Sequence, residues 1–345
     1  MCFSHKFSTS VAALLAALPL QVAISAPITG INYEIKPLYT VDGNSPSNFE
    51  TPVGGKFDGV GKFISSSPDG STTGCTASLL NRNRQYALTA AHCFTDDKGD
   101  IERDSGTVEF EGQNGSELIT IKEFIPHPNW EGSFFQGNDI GLLELKSLPS
   151  SDIAGYGINT FSDPLQTPTE KVGYGLSGTG NSGVQSGTFG TKRDGQNSYD
   201  KYGDFIWGAM GVGSVVPQSQ LHYDFDDGSS NQDAFDFFFN VKQQGVTDEV
   251  LAAPGDSGGP TFLNGTIAGI GSYGLRLESE DGTSSDIDTQ LNSTYGEFGG
   301  DTNVARYAGF IERETGGVQA IPTPSTFFLI VGSALGLFFG HRRFT

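Results

Sequence analysis

Basic residues are scarce in this sequence. Its 345 residues contain 20 lysines and arginines against 40 aspartates and glutamates, which gives a formal net charge of −20. A chain this acidic repels phosphate backbones, so nucleic acid is excluded as the expected partner. Long apolar runs are scarce as well, and the terminal ones, Val11 to Leu20 and Phe327 to Gly340, are short for a stable membrane span.

Helix-forming stretches are also few, whereas glycine and phenylalanine are abundant, with 48 and 26 residues. This balance favours short strands joined by glycine-rich turns over a helical bundle. We therefore expect an all-β protein that contains an antiparallel barrel. Strand-like segments bounded by Gly, Pro, Asn or Asp recur through the first half: Gly59 to Ser65, Thr76 to Leu80, Gln85 to Thr89, Thr107 to Phe110, Leu118 to Phe124 and Ile140 to Leu145.

The second half has fewer clear elements. Residues 173–203 are dense in glycine and serine and are expected to be surface loops. Thr266 to Tyr273 is typical of a strand. Apolar residues recur at helical spacing within Asn303 to Glu314, which predicts a short closing helix that ends at Gly316-Gly317.

The amino-terminal segment, residues 1–26, is successively basic, apolar and small. Lys6 precedes the run from Val11 to Leu20, and Ala23 and Ala26 follow it. This order is typical of a secretory signal peptide, with an N-terminal core helix as the alternative. Residues 27–55 are rich in Pro, Ser, Asn and Gly with little periodicity, and we expect a propeptide or an N-terminal arm there.

The carboxy-terminal segment, residues 318–345, has a second composite pattern. Pro322 and Pro324 precede the run from Phe327 to Gly340, and Arg342-Arg343 follows it. This order resembles the bacterial PEP-CTERM sorting signal, although Thr323 stands where that signal usually has Glu. The resemblance implies an exosortase-type sorting enzyme as a partner and membrane contact through the tail before processing. The alternative is a C-terminal core strand.

Two motifs carry chemistry. Thr89-Ala90-Ala91-His92-Cys93 offers a base, and Gly255-Asp256-Ser257-Gly258-Gly259-Pro260 offers a nucleophile. A serine hydroxyl becomes a strong nucleophile only when a neighbouring imidazole takes its proton. Of the five histidines, His5 and His341 lie in the terminal segments, His127 lies between prolines, and His222 lies in an acidic, aromatic stretch. His92 is therefore the candidate base for Ser257.

Five short blocks follow one another along the chain. They are Cys75-Thr76-Ala77-Ser78-Leu79-Leu80, Thr89 to Cys93, Asn138-Asp139-Ile140-Gly141-Leu142-Leu143, Gly255 to Pro260 and Gly271-Ser272-Tyr273-Gly274. On these blocks and their order the chain, from about Gly59 to about Glu314, resembles the trypsin and chymotrypsin clan of serine proteases. The resemblance implies two six-stranded antiparallel β-barrels with a short C-terminal helix.

The resemblance also implies a role for each site residue. His92 would be the general base that deprotonates Ser257, and Asp139 would hold the other imidazole nitrogen. The apolar run after Asp139 places this carboxylate at the edge of the core, where it needs a partner. The amides of Gly255 and Ser257 would form the oxyanion hole.

The chain has three cysteines, and one of them, Cys2, would leave with the signal peptide. In an oxidising compartment Cys75 and Cys93 become a candidate disulfide across 93 − 75 = 18 positions. On the chain-entropy model such a loop stabilises by about 3 kcal/mol. The same two residues match the disulfide that clamps the histidine loop in the resembled clan.

The chain departs from the clan in its activation segment. The clan exposes a new N-terminus before an Ile-Val-Gly-Gly-like segment, and its amine pairs with the acid before the serine, here Asp256. Only Ile28-Thr29-Gly30-Ile31 and Pro52-Val53-Gly54-Gly55 come near this pattern, and no basic residue directly precedes either. We expect another group to hold Asp256.

The specificity pocket also departs from trypsin. Leu251 lies six positions before the serine, where the resemblance places the pocket floor. Without a carboxylate there, an apolar or medium-sized side chain is expected before the scissile bond, because a buried unpaired cation is costly. Ser272, Tyr273 and Gly274 would line the pocket wall and pair with substrate backbone as an added strand.

Residues 191–243 are longer than the clan requires and carry clustered carboxylates. The spacing within Tyr223-Asp224-Phe225-Asp226-Asp227-Gly228 does not fit an EF-hand, although calcium is an alternative to a solvated acidic loop. We expect neither a metal nor a cofactor to be needed.

These patterns predict a secreted bacterial serine endopeptidase of the cell envelope or extracellular space, with protein or peptide substrates and an acyl-enzyme mechanism. Its protease domain would span residues 56–317. One alternative is a catalytically silent surface-binding protein on the same scaffold. Another is an esterase with the same triad, although the chain lacks the Gly-x-Ser-x-Gly elbow of α/β-hydrolases.

Overall fold

A computed structural model describes residues 31–36, 38–41, 45–213, 215–242 and 245–316. The expected signal peptide and the expected sorting tail lie outside these residues. Within the described ranges, no helix combines the length and the apolar character needed to cross a membrane.

The chain begins its described course with an arm of two short strands. Strand β1 (Ile31–Lys36) and strand β2 (Leu38–Val41) are followed by a 3₁₀ turn at Pro46–Phe49. Within the segment expected to be a propeptide or an N-terminal arm, Ile31, Tyr33 and Ile35 alternate with polar residues, as is typical of a strand.

Six strands of the first half close into an antiparallel barrel in the order β3-β4-β5-β8-β7-β6. In β6 the buried side chains, among them Val108 and Phe110, come from alternating positions, and all residues of β8 are buried, so the ring encloses an apolar core. The six predicted strand segments all fall on this ring. Its strands are β3 (Val60–Ser66), β4 (Thr72–Leu79), β5 (Tyr86–Thr89), β6 (Ser105–Gly112), β7 (Gly115–Pro126) and β8 (Gly141–Leu145).

The second half forms an eight-stranded sheet, with path β12-β9-β16-β17-β18-β14-β13 and with β1 added beside β17. A separate four-stranded sheet has the order β11-β10-β2-β15, so strand pairing does not close this half into a ring. The strands are β9 (Pro168–Gly173), β10 (Ser177–Thr179), β11 (Gly183–Gln185), β12 (Arg193–Ser198), β13 (Lys201–Tyr202), β14 (Gln220–Asp224), β15 (Val250–Ala253), β16 (Pro260–Leu263), β17 (Thr266–Ser279) and β18 (Phe298–Asn303).

In the part of the chain that the structure describes, three short α-helices complete the fold: α1 (Gly203–Ala209), α2 (Ala234–Phe239) and α3 (Ala308–Thr315). Helix α3 follows a 3₁₀ turn at Val304–Tyr307 and ends at Gly316, whose φ of 72° is the left-handed conformation common after a helix. The predicted all-β class and short C-terminal helix are confirmed.

The expectation of surface loops over residues 173–203 is wrong at Arg193–Ser198. These residues form β12 and pair with all six residues of β9. The segment RDGQNS contains no β-branched or aromatic residue, so its strand character comes from pairing with a neighbour and not from local preference.

Candidate active site

His92 lies on a 3₁₀ turn, Ala91–Cys93, directly after barrel strand β5. The turn is fixed from both sides, because Cys93 forms a disulfide with Cys75 of β4 and the Thr95 hydroxyl donates to the Ala91 carbonyl over 3.0 Å. The side chain of His92 is 15% exposed. The predicted disulfide is present, and it ties the histidine turn to the barrel wall.

Asp139 precedes β8 and is buried. Its carboxylate accepts the backbone N–H of His92 over 2.9 Å and lies 2.7 Å from Nδ1 of the same residue. The Ser272 hydroxyl also donates to this carboxylate, and the Thr302 hydroxyl donates to the Asp139 carbonyl over 2.7 Å. A carboxylate facing Nδ1 selects the tautomer in which Nδ1 carries the proton.

The other ring nitrogen of His92, Nε2, is buried and has no hydrogen-bond partner within the described residues. In the tautomer set by Asp139 this nitrogen carries the lone pair. The ring is also held by an edge contact with Phe134, with the two centroids 5.4 Å apart. His92 is thus oriented as a base with one free acceptor position.

Ser257 lies in a tight loop between β15 and β16, at the junction of the two halves. Its carbonyl accepts the N–H of Thr76 over 2.9 Å and lies 3.6 Å from the sulfur of Cys93. Gly258, with φ of 80°, packs so closely that a Cβ would lie 2.0 Å from the hydroxyl of Thr89. Only glycine fits there, and the close approach brings the serine loop against the histidine turn.

The amides of this loop divide into two groups. Asp256, Gly258 and Gly259 donate to backbone carbonyls over 2.9, 2.8 and 2.7 Å. Within the described ranges, no carbonyl accepts from the amides of Gly255 and Ser257, and Gly255 has φ of 104°. These are the two donors that the resemblance assigns to an oxyanion hole.

Asp256 is buried, and its carboxylate accepts the amides of Gly175 over 2.8 Å and Ala253 over 3.2 Å. Burial raises the pKa of this carboxyl well above its usual range. A Cβ at Gly173 would lie 1.8 Å from the carboxylate, so glycine there lets the neighbouring strand approach. Backbone amides therefore hold this acid.

The four predicted substrate-binding residues are all placed near the serine loop but are not exposed. Leu251 is fully buried in an apolar cluster, and Ser272 is bonded to Asp139. Tyr273 is buried and its hydroxyl lies 2.6 Å from Nε2 of His222. Gly274 pairs with strands on both of its sides. Their role toward substrate stays a prediction.

The acidic loop residues considered for calcium do not converge. Asp224 accepts the amides of Ala234 and Phe235 at the start of α2, and Asp226 and Asp227 each accept an amide of their own loop. Burial and neighbouring carboxylates raise the pKa of Asp224 well above its usual range. Across the described residues, the one set of three metal-type ligands brought together is Cys75, His92 and Cys93, whose sulfurs form the disulfide.

Sequence reasoning missed two features of the site. Phe134, which contacts the His92 ring, begins a 3₁₀ turn at Phe134–Gln136 that no sequence pattern indicated. The second feature is a buried ion pair between Lys171 and Asp301, with Nζ and Oδ2 2.7 Å apart. No local pattern marks Lys171 as buried, because its partner lies on a strand far along the chain.

Known proteins resemble this chain over part of its length. Residues 54–206 match the trypsin family model. The chain is thus similar to trypsins over this segment, and its fold is trypsin-like. Trypsin-1 of Salmo salar is 28% identical over 205 residues, which cover 58% of this chain and 70% of that protein. Trypsin-2 of the same organism is 27% identical over 205 residues, which cover 58% and 73%.

Two solved structures share the fold. HL collagenase superposes with a TM-score of 0.54 at 18% identity, over 78% of this chain and 98% of that one. Neuropsin, a serine protease expressed in the limbic system of mouse brain, gives 0.53 at 14% identity, over 77% and 98%. The family segment includes His92 and Asp139 and ends before Ser257, so the serine assignment depends on its motif and loop geometry.

Proposed function

We propose that this protein is a secreted serine endopeptidase in which Ser257 is the nucleophile, His92 the general base and Asp139 the residue that orients the base. The observation that carries the proposal is the buried Asp139 carboxylate, 2.7 Å from Nδ1 of His92, with Nε2 left as a buried acceptor without a partner in the described chain. The trypsin-family segment and trypsin-like fold support the same reaction class.

In the proposed reaction the proton of the Ser257 hydroxyl moves to Nε2 of His92 while the oxygen bonds to the substrate carbonyl carbon. Asp139 stabilises the imidazolium that forms. The C–N bond then breaks as Nε2 returns the proton to the leaving amine. Water attacks the acyl-enzyme by the same route, its proton passing to Nε2 and then to the serine oxygen.

Negative charge develops on the carbonyl oxygen during both steps. The free amides of Gly255 and Ser257 would donate to this oxygen, and the loss of one such donor lowers the rate by about 10² to 10³. Two observations support a glycine at position 255. Its φ of 104° is a conformation that other residues rarely adopt, and a β-carbon there would lie 2.6 Å from the ring of Phe189 and displace the loop.

Fluorophosphonate labelling tests the nucleophile. The probe should label the wild-type chain and not Ser257→Ala, whereas Ser151→Ala, at an exposed serine, should label as the wild type does. Equal labelling of Ser257→Ala would reject the assignment. A chain that folds but does not label would favour the catalytically silent alternative, and a labelled chain that cleaves esters but no peptide would favour the esterase.

We also propose export through residues 1–26 and envelope sorting through residues 318–345 by an exosortase-type enzyme. The order of basic, apolar and small residues at the first terminus and of proline, apolar run and arginines at the second supports this. Intact-mass analysis of the exported protein tests both cleavages.

For substrate preference we propose an apolar residue before the scissile bond, and cleavage of a peptide library chiefly after Lys or Arg would reject it.

A further inference from the structure

The arm formed by β1 and β2 lies along both strands that would bind substrate. Strand β17 contains Ser272, Tyr273 and Gly274, and strand β15 contains Leu251. A peptide substrate that binds by strand addition needs an edge with free N–H and C=O groups. The position of the arm therefore decides whether that edge is available.

Strand β1 occupies the edge of β17 from Gly274 to Ser279. The two strands are antiparallel, and their register runs from Ile31 opposite Ser279 to Lys36 opposite Gly274. The other edge of β17 is already filled, because Gly274 also pairs with Gly299 of β18. With both sides taken, Gly274 has no free edge for a substrate strand.

Strand β2 occupies the edge of β15 in the same way. Leu38 pairs with Ala253, and Thr40 pairs with Leu251, the predicted pocket floor. The arm thus passes from one wall of the proposed pocket at Lys36 to the other at Leu38.

Side chains of β1 add packing contacts to the backbone pairing with β17. Ile31 and Ile35 pack against the buried cluster that contains Tyr273 and Leu275. The ring of Tyr33 makes an edge contact with Phe135, with the centroids 5.4 Å apart. The neighbouring residue, Phe134, contacts the His92 ring, so the arm packs one residue away from a contact of the proposed base.

We propose that β1 and β2 form an autoinhibitory arm, which occupies the edge of β17 at Gly274 and the edge of β15 and must leave them before peptides are cleaved. The inference rests on the proposed function, because it concerns access to the same site. An arm tethered to the domain acts at a high effective concentration, on the order of millimolar, and so competes well with a dilute substrate. Small reagents that need only Ser257 do not need these edges.

The first test weakens the arm in the full chain. Ile35→Asp removes an apolar contact and adds a charge, whereas the control Asn32→Gln changes an exposed position of the same strand without adding a charge opposite Glu278. We expect Ile35→Asp to raise kcat/KM for a mixture of quenched peptides at least ten-fold while fluorophosphonate labelling changes only a few-fold. Asn32→Gln should behave as the wild type does.

The second test fastens the arm without touching the pocket. Asn32 and Glu278 are direct partners across the two strands, so Asn32→Cys with Glu278→Cys should form a disulfide at the outer end of the pair. The fastened chain should label normally and cleave peptides at least ten-fold more slowly than the single variant Asn32→Cys. If Ile35→Asp does not fold, the comparison of the fastened chain with Asn32→Cys tests the autoinhibitory role by itself.

The outcomes separate the two proposals. If every variant labels and all cleave peptides at the wild-type rate, the arm is a fixed part of the fold and the inference is overturned. If no folded variant labels at Ser257, the proposed function itself fails. A wild-type chain that labels but barely cleaves peptides, with turnover released by Ile35→Asp, supports both.

Discussion

Lys171 and Asp301 form a buried ion pair, and the loss of either partner should destabilise the protein. Lys171 and Asp301 are 6% and 0% exposed, with Nζ and Oδ2 2.7 Å apart. The ammonium also donates to the Thr261 hydroxyl over 2.8 Å and lies 3.8 Å from the centroid of the Tyr223 ring. Lys171→Met keeps most of the side-chain length and removes the charge.

The substitution leaves the Asp301 carboxylate buried without its cation. The hydroxyls of Tyr199 and Thr261 still donate to Oδ2, but Oδ1 has no partner within the described residues. Breaking a buried pair on one side costs about 3–5 kcal/mol, because the remaining charge is uncompensated. Lys171→Met should therefore lower the free energy of unfolding by that amount, and Asp301→Asn should have a similar effect.

The double variant Lys171→Met, Asp301→Asn should lose much less free energy of unfolding than the two single losses added together. It buries no charge, and the asparagine oxygen still accepts from Tyr199 and Thr261. We expect a coupling free energy of at least about 2 kcal/mol between the two positions.

Urea unfolding of the four proteins at pH 7, followed by tryptophan fluorescence, measures this coupling. Trp130 lies in the core cluster of the first barrel and Trp207 in a cluster of the second half. The fluorescence signal therefore follows the unfolding of both halves. If the two losses add within about 0.5 kcal/mol, the pair is not coupled and the reasoning is refuted.

Three further predictions concern the site and its pH dependence. Asp139→Asn should fold normally and lower kcat by about 10⁴, the known effect of this substitution in the Ser-His-Asp triad of trypsin-type enzymes, because the amide favours the wrong tautomer of His92; kcat of chains matched by unfolding midpoint checks this, and wild-type turnover would contradict it. Burial lowers the pKa of His222 from 6.5 to about 3, so stability present above pH 6.5 is lost as pH falls towards 3. His222→Gln, which can still bond Tyr273, should flatten the fall in urea midpoint from pH 6.5 to 4, and an unchanged slope would count against it. Burial and neighbouring carboxylates raise the pKa of Asp200 from 3.8 to about 8, so its stability contribution is present below pH 3.8 and lost as pH rises to 8. Asp200→Asn should melt above the wild type at pH 8 and level with it at pH 4, and a lower melting temperature at pH 8 would argue for a ligand that needs the charge.

The first barrel was predictable because its signals are local. Strands β3 to β8 are short segments bounded by turn residues, and each such segment can be recognised without knowing its partner. His92 and Asp139 follow the same logic, because each lies at the end of a clear strand.

The second half was less predictable because its strands depend on distant partners. The polar segment Arg193–Ser198 becomes β12 only beside β9, and β1 gains its role only beside β17. Leu251 was predicted to form the pocket floor from its spacing to Ser257. Its burial in an apolar cluster depends on distant residues, which sequence spacing does not reveal. Ser272 was expected in a pocket wall, and its bond to Asp139 required the register of β17 to be known.

The disulfide between Cys75 and Cys93 has a consequence for where this protein can work. It joins the barrel wall to the residue directly after His92, so the rigidity of the base depends on the thiol chemistry of the surroundings. In a reducing cytoplasm the two cysteines would remain as thiols and the histidine turn would lose its covalent tether. If the proposed export and peptidase activity hold, oxidation outside the cytoplasm would restore the tether, and the enzyme would be less effective inside the cell that makes it.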